Sequence, residues 1–388
     1  MWGDIAIAFM IAFVTAFMAT PHTINLARKL GAVDTPKDAR RINKITMPRL
    51  GGLAVIGGFF LSVTYLLIVM SIEDKINLMQ DDYIKKIIGF VIGAFIIGIT
   101  CFIDDIKGVS AIVKLIAQVI AALVVIKCGI RIDNLDIPFL NFDNASSIFY
   151  IILTLGWIVG ITNAMNLIDG LDGLSTGISL ISCLSLLIIF SLNGSPIISI
   201  VLITALGGAL CGFLPYNFNP AKTFIGDTGS NFLGYCLAII SILGIAKTYT
   251  AIVIVAPLMV LALPIFDTLF AIVRRISHGK SLKAIIEPDA GHLHHKMLKK
   301  GFTQKQAVLI MYGLSATFGM FAIILMDSGI WKALSFAIII VIVIALGYKE
   351  FFKQRLLSDM PEDEKEENYN KIEINLQNHN ENSAENKE

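Results

Sequence analysis

The chain has 388 residues, of which 55% are hydrophobic and only 16% charged, and its mean hydropathy is +0.75. That composition excludes a water-soluble globular domain and calls for a lipid environment. The net charge of +1 gives no sign of a nucleic-acid partner, and the sequence has neither a continuous basic helix nor an RNA-binding motif, so none is expected.

Apolar runs of about 17 to 22 residues, enough to cross a hydrocarbon core of roughly 30 Å, recur along the chain. Eleven are predicted, at 3–20, 50–70, 84–103, 111–128, 147–163, 174–192, 196–214, 231–246, 250–273, 306–326 and 329–348. The first lacks both a preceding positive residue and a small-residue cleavage site, so it reads as a retained helix. Of the 31 Lys and Arg residues, only Lys75, Lys85, Lys86, Lys127, Arg131, Lys247 and Lys332 fall on the outer side if the N-terminus is outside. Cytoplasmic loops keep the excess of positive charge. The expected fold is therefore an all-α polytopic membrane protein of about eleven transmembrane helices, N-terminus outside and C-terminus cytoplasmic. Residues 1–350 form one integral membrane domain, and 351–388, rich in Glu, Asn and Lys, a hydrophilic disordered tail. Five cysteines without a C-x-x-C pair argue against disulfides and zinc. Segment 129–146 reads as a small outer hairpin with no evident chemistry.

The inner loops carry the polar residues. In chain order, "DTPKDARRINKITMPRLGG" supplies Arg40, Arg41, Lys44 and Arg49, which serve topology or attract an anionic lipid headgroup. "FIDDIKG" ends the third span on Asp104 and Asp105. Acids are disfavoured at a helix C-terminus, and adjacent helical side chains diverge by about 100°. The pair can thus serve two partners, such as a divalent metal and a proton or lysine; a solvated helix end is the plainer alternative.

"TNAMNLIDGLDGLSTG" spaces Asn163, Asn166, Asp169 and Asp172 by three, which on a helix lines one face with oxygen ligands and amide donors. Hard oxygen donors suit Mg²⁺ or Mn²⁺, although a glycine-broken loop capping the next helix, with Gly170 and Gly173, would use the same residues. "FIGDTGSNF" sets Asp227 between glycines beside Thr228 and Ser230, at the start of an apolar helix near Asn231. Backbone N–H groups there favour phosphate oxygens, and a bare helix cap is the alternative. Asp267 lies about two helical turns from Arg274 near the inner end of a span, either supporting the site or taking part in it. "EPDAGHLHHKMLKKG" gathers Asp289, His292, His294, His295, Lys296, Lys299 and Lys300. It lacks a closed zinc set and reads as a cationic site for phosphate or sugar hydroxyls, or as an exposed basic loop.

Together these stretches resemble the polyprenyl-phosphate N-acetylhexosamine-1-phosphate transferase family over nearly all of residues 1–350. The resemblance implies a Mg²⁺-dependent exchange, with Mn²⁺ as a substitute, on the cytoplasmic membrane face. A lipid phosphate oxygen attacks the β-phosphorus of a UDP-sugar, UMP leaves, and a lipid-linked diphosphate sugar remains. It places the acidic pair at Asp104 and Asp105, a pyrophosphate-contacting lysine at Lys114, an amide near the metal at Asn166 and uracil recognition at Asp172. An aromatic against the uracil falls at Phe224, a metal ligand at Asp227, and the sugar-phosphate loop on His292, His294 and His295. The implied metal set is Asp104, Asn166 and Asp227, and the implied catalytic set Asp104, Asp105, Asp227 and His292. Lys114, Asn163, Asn166, Asp169, Asp172, Phe224, Asp289, His294, His295 and Arg49 are expected to bind substrate.

"PDAGHLHHKMLKKG" looks like the P-D-R-x-H-x-H-H form of the UDP-GlcNAc branch, whereas the MurNAc-pentapeptide branch carries three consecutive histidines. The expected partners are thus UDP-GlcNAc, undecaprenyl phosphate and membrane lipids; a homodimer is compatible with the sequence but not specified by it. Ala290 stands where that branch commonly has arginine, Asn43 where the first loop usually has histidine, and Thr46 where it often has proline. MurNAc-pentapeptide phosphate transfer is the neighbouring alternative, and a secondary transporter coupled through Asp267 and Asp104 is the alternative from another class.

Overall fold

A computed structural model describes residues 2–35, 46–73, 82–133, 146–245, 251–279 and 292–343. The chain is an all-α polytopic membrane protein that divides into two compact units, 1–329 and 330–388. The first unit contains α1 (Trp2–Leu30), α2 (Gly52–Ile72), α3 (Tyr83–Lys107), α4 (Ala111–Lys127), α5 (Ser147–Ile168) and α6 (Leu174–Leu192). It continues with α7 (Ile197–Asn217), α8 (Gly226–Ile245), α9 (Ala251–Val260), α10 (Ala262–Gly279), α11 (Leu293–Lys299) and α12 (Gln304–Ser328). The described part of the second unit is an apolar helix, α13 (Ile330–Val343).

Among the described residues seven helices, α1, α2, α3, α5, α6, α7 and α12, are long and apolar enough to cross a membrane. The remaining expected spans are shorter, interrupted or partly outside the described residues. Span 250–273 was expected as one helix and is two, α9 and α10, which meet at Leu261. Pro264 accounts for the break: it has no N–H to offer the carbonyl four residues back, and its ring crowds that turn. The outer segment 134–145, the first-loop residues Arg40, Arg41, Asn43 and Lys44, Asp289 with Ala290, and the tail from 351 lie outside the described residues.

α7 is the most enclosed of the long helices, with α1, α2 and α6 packed around it. Gly208 and Gly212, four residues apart, make this possible on the α1 side. A Cβ at Gly208 would lie 2.4 Å from the Phe9 carbonyl oxygen, and one at Gly212 2.2 Å from that of Phe13. Small residues at this spacing let helix backbones approach where lipid supplies no hydrophobic drive to associate.

One end of the bundle gathers the site. A two-residue antiparallel ribbon pairs β1 (Val33–Asp34) with β2 (Met47–Pro48) there. The chain then runs beside the segment before α8: Phe224 N–H donates to the Pro48 carbonyl (2.8 Å), Gly51 N–H to that of Phe224 (3.1 Å) and Gly52 N–H to that of Ile225 (2.9 Å). The ends of α3, α5 and α7 and the starts of α2, α4, α6 and α8 therefore meet in one place.

Candidate functional site

The first acid of the pair that ends α3 faces a cation. Asp104, at the end of α3, accepts a 2.7 Å hydrogen bond from Lys114 Nζ on the first turn of α4, and the same ammonium donates to Asp227 Oδ2 at 3.0 Å. Asp227 Oδ1 accepts from Asn166 Nδ2 at 3.0 Å. That amide also donates to Ser230 Oγ, whose own hydroxyl is given to the Gly226 carbonyl. The serine can only accept from the asparagine, which fixes the amide's orientation and leaves Asn166 Oδ1 as its one oxygen for a cation.

The second acid does something else. Asp105 reaches across to the start of α8, where Oδ1 accepts from Asp227 N–H (2.9 Å) and Oδ2 from both the N–H (2.9 Å) and the hydroxyl (2.6 Å) of Thr228. Its side chain is fully enclosed, whereas that of Asp227 is 24% exposed. The helix N-terminus, expected from sequence to be free for a phosphate, has these two N–H groups filled by a carboxylate from another helix. Arg49 Nε lies 3.9 Å from the same carboxylate. Gly226 permits the turn: its φ is +73°, and a Cβ there would lie 1.9 Å from the Arg49 carbonyl oxygen.

The expected line of four residues at spacing three is broken where α5 stops. Asn163 and Asn166 sit on the helix, Asp169 is its C-cap, and Asp172 lies in the turn before α6. Asn166 reaches the charged cluster, but Asn163 turns to Gln118 on α4. The Asp169 carboxyl accepts from the Ser175 hydroxyl at 2.6 Å. Burial pushes it up to about 7; the serine bond opposes this, and the charge of Asp227 adds to it.

Asp172 is 5% exposed and takes its partners from the α7–α8 connection: Oδ2 accepts from Asn219 Nδ2 (3.0 Å) and Ala221 N–H (3.1 Å). Its buried Oδ1 has no hydrogen-bond partner among the described residues. Such an atom costs free energy unless a donor arrives, and a flat N–H-bearing base is a suitable donor. Phe224 is half-buried on the segment that runs beside Pro48.

The histidine segment closes another side. Asp267 on α10 holds His292 Nδ1 at 2.8 Å with one oxygen and accepts Leu293 N–H at 2.8 Å with the other, capping α11. Of the two roles the sequence left open for Asp267, support for the site or participation in it, these bonds give it support of the histidine segment. His294 is 1% exposed, and its Nε2 lies 2.4 Å from where a Cβ on Gly170 would be, which joins this segment to the loop of Asp169 and Asp172. His294 and His295 rings are 4.3 Å apart. Burial holds the His294 imidazole down at about 4, with the neighbouring His295 adding to the effect and Asp267 opposing it. Lys296, Lys299 and Lys300 are exposed.

Among the described residues no three His, Cys, Asp or Glu side chains converge as a ready metal cage. Two carboxylates sharing one cation, with an amide oxygen beside them, are nonetheless the donor set that Mg²⁺ uses when substrate phosphates and waters complete its shell. The residues fit such an ion, with Asp104 and Asp227 as its charged ligands and Asn166 as its neutral one. Sequence reasoning missed Gln118, buried one turn beyond Lys114, and Asn219. The signal available for Gln118 was a polar residue four positions from a lysine in an otherwise apolar run.

Comparison with known proteins shows the family of the chain. Residues 87–245 match the family described as Glycosyl transferase family 4. The chain is 38% identical over 338 residues to a probable undecaprenyl-phosphate N-acetylglucosaminyl 1-phosphate transferase of Bacillus subtilis, covering 87% of this chain and 89% of that one. It is 34% identical over 337 residues to a decaprenyl-phosphate N-acetylglucosaminephosphotransferase of Mycobacterium tuberculosis, covering 80% and 79%. A phospho-N-acetylmuramoyl-pentapeptide-transferase of Staphylococcus epidermidis is 30% identical over 328 residues, covering 80% and 96%. The chain belongs to glycosyl transferase family 4, among the polyprenyl-phosphate N-acetylhexosamine-1-phosphate transferases.

Proposed function

We propose that the protein transfers N-acetylglucosamine 1-phosphate from UDP-GlcNAc to undecaprenyl phosphate at the cytoplasmic membrane face, as an initiating step of cell-envelope polysaccharide synthesis such as that of teichoic acid. An oxygen of the lipid phosphate forms a bond to the β-phosphorus. The bond from that phosphorus to the bridging oxygen breaks, and UMP departs with the oxygen, leaving undecaprenyl-diphosphate-GlcNAc. The observation that carries the reading is the ammonium of Lys114 held between Asp104 and Asp227 where four helix ends meet.

Two polyanions must approach each other, so opposing charge and fixed orientation supply most of the catalysis. Lys114 contacts the diphosphate, and Asp104, the more open acid of the adjacent pair, faces the lipid phosphate. Asp105 holds the start of α8 so that Asp227 stays in place. Asp104, Asp227 and Asn166 would hold Mg²⁺ or Mn²⁺, which would supply positive charge against that of the phosphates. The unpartnered Asp172 Oδ1 accepts the ring N–H of uracil beside Phe224. His292, oriented by Asp267, and His294 and His295 contact the sugar phosphate.

Transfer of MurNAc-pentapeptide phosphate is the second reading, favoured by the similarity to the Staphylococcus epidermidis protein. Membranes incubated with undecaprenyl phosphate, Mg²⁺ and either labelled UDP-sugar separate the two. The proposal expects butanol-extractable label from UDP-GlcNAc and little from UDP-MurNAc-pentapeptide, and the reverse pattern would replace it.

A further inference from the structure

Beneath the charged cluster lies a second polar layer that the reaction as described does not use. Gln118, on the same face of α4 as Lys114 and one turn away, is 2% exposed. Its Nε2 donates to Asn231 Oδ1 on α8 (2.9 Å) and, at 3.4 Å, to Asn163 Oδ1 on α5, while its Oε1 accepts from Asn163 Nδ2 (2.6 Å). Each end of this chain of amides is pinned by a main-chain carbonyl. Asn231 Nδ2 donates to the carbonyl of Asp227 (2.9 Å), and Asn163 Nδ2 to that of Val159 (2.8 Å).

A carbonyl can only accept, so Asn231 must turn its nitrogen to Asp227 and its oxygen to Gln118. Gln118 must then present nitrogen to α8 and oxygen to Asn163. Only one arrangement satisfies every member, and buried amides with one solution hold the helices that carry them in one register. The three helices tied in this layer also carry Lys114, Asn166 and Asp227, which meet one turn away.

We infer that Gln118 is a positioning residue for phosphosugar transfer: it fixes α4 against α5 and α8, and so sets Lys114 against Asp227. The inference rests on the transferase reading for the reaction that is measured. Purified Gln118→Met keeps the side-chain length and loses every hydrogen bond. Its kcat should fall about 10- to 100-fold, the usual penalty for loosening a group that orients the reacting ones, while the KM for UDP-GlcNAc stays within about threefold. Asn231→Leu should lower kcat by a similar factor, and the double variant should be no worse than either single one, because the layer acts as a unit. Activities are referred to the folded, monodisperse fraction. If Gln118→Met does not fold, Gln118→Asn, which is too short to reach both asparagines, takes its place with the same kcat expected to fall. A folded variant with wild-type kcat, or two substitutions whose effects multiply, would overturn the inference. Wild-type protein that labels no lipid counts instead against the transferase reading, and that result is seen before any variant is compared.

Discussion

Two corners of the site are built by the same device and end with different chemistry. At the start of α8, Asp105 from α3 accepts two main-chain N–H groups; at the start of α11, Asp267 from α10 accepts one. In both, a carboxylate from one helix caps another and fixes the functional residue beside the cap. At α8 that residue is Asp227, which shares an ammonium with Asp104; at α11 it is His292, held directly by the capping acid. The first corner concentrates charge on a cation, and the second orients an imidazole. Asp104 and Asp105, adjacent in sequence, thus differ in their partners: Asp105 caps α8, whereas Asp104 faces Lys114.

Removing a charge from each corner tests that division. Asp227→Asn should lower kcat about 10³-fold without loss of folded protein, since it removes a carboxylate that holds Lys114 and would hold the metal, the positive charges that offset the phosphates; turnover is read by labelled-lipid formation and folding by thermal melting. Asp267→Asn should cost less, about 10- to 100-fold, because it frees His292 without removing a group from the reaction. If the two losses were equal, the histidine corner would be as central as the charged one. Asp105→Ala should show chiefly as lost stability, on the order of 3 kcal/mol for two N–H groups left without an acceptor, and a melting temperature equal to wild type would contradict the cap.

A stability effect of similar size is expected from pH. His294 has a folded value of about 4, below its ordinary 6.5, so between these values the unfolded chain binds more protons than the folded one. Stability should then decline as pH is lowered from 6.5 towards 4, by at most about 1.4 kcal/mol per unit. His294→Gln should flatten that part of the melting profile.

Much of this architecture was legible in the residues, because apolar length and adjacent acids at a span's end are local signals. Asp104, Asp105 and Asp227 stood out since charge at a helix end in lipid demands a reason, and Asn166 through its spacing of three with Asn163, Asp169 and Asp172. What separates Asp104 from Asp105 was not legible: their partners lie on α4 and α8, and local spacing says nothing of which helix faces which carboxylate. Asn163 was read with Asn166 because both belong to one helical face, yet the face passes from the charged cluster to Gln118 within a turn. Asp267 stood out as an acid two helical turns from Arg274, and its partners, His292 and Leu293, sit 25 and 26 residues on, where helical spacing carries no signal. Pro264 did carry a local warning that span 250–273 would divide.

The most direct test of the account compares wild type with Asp104→Asn, Lys114→Met and Asp227→Asn in one assay of labelled UDP-GlcNAc transfer to undecaprenyl phosphate. The account predicts extractable labelled lipid from wild type and almost none from any of the three, each remaining folded. Undiminished transfer by a folded Asp227→Asn protein would contradict it.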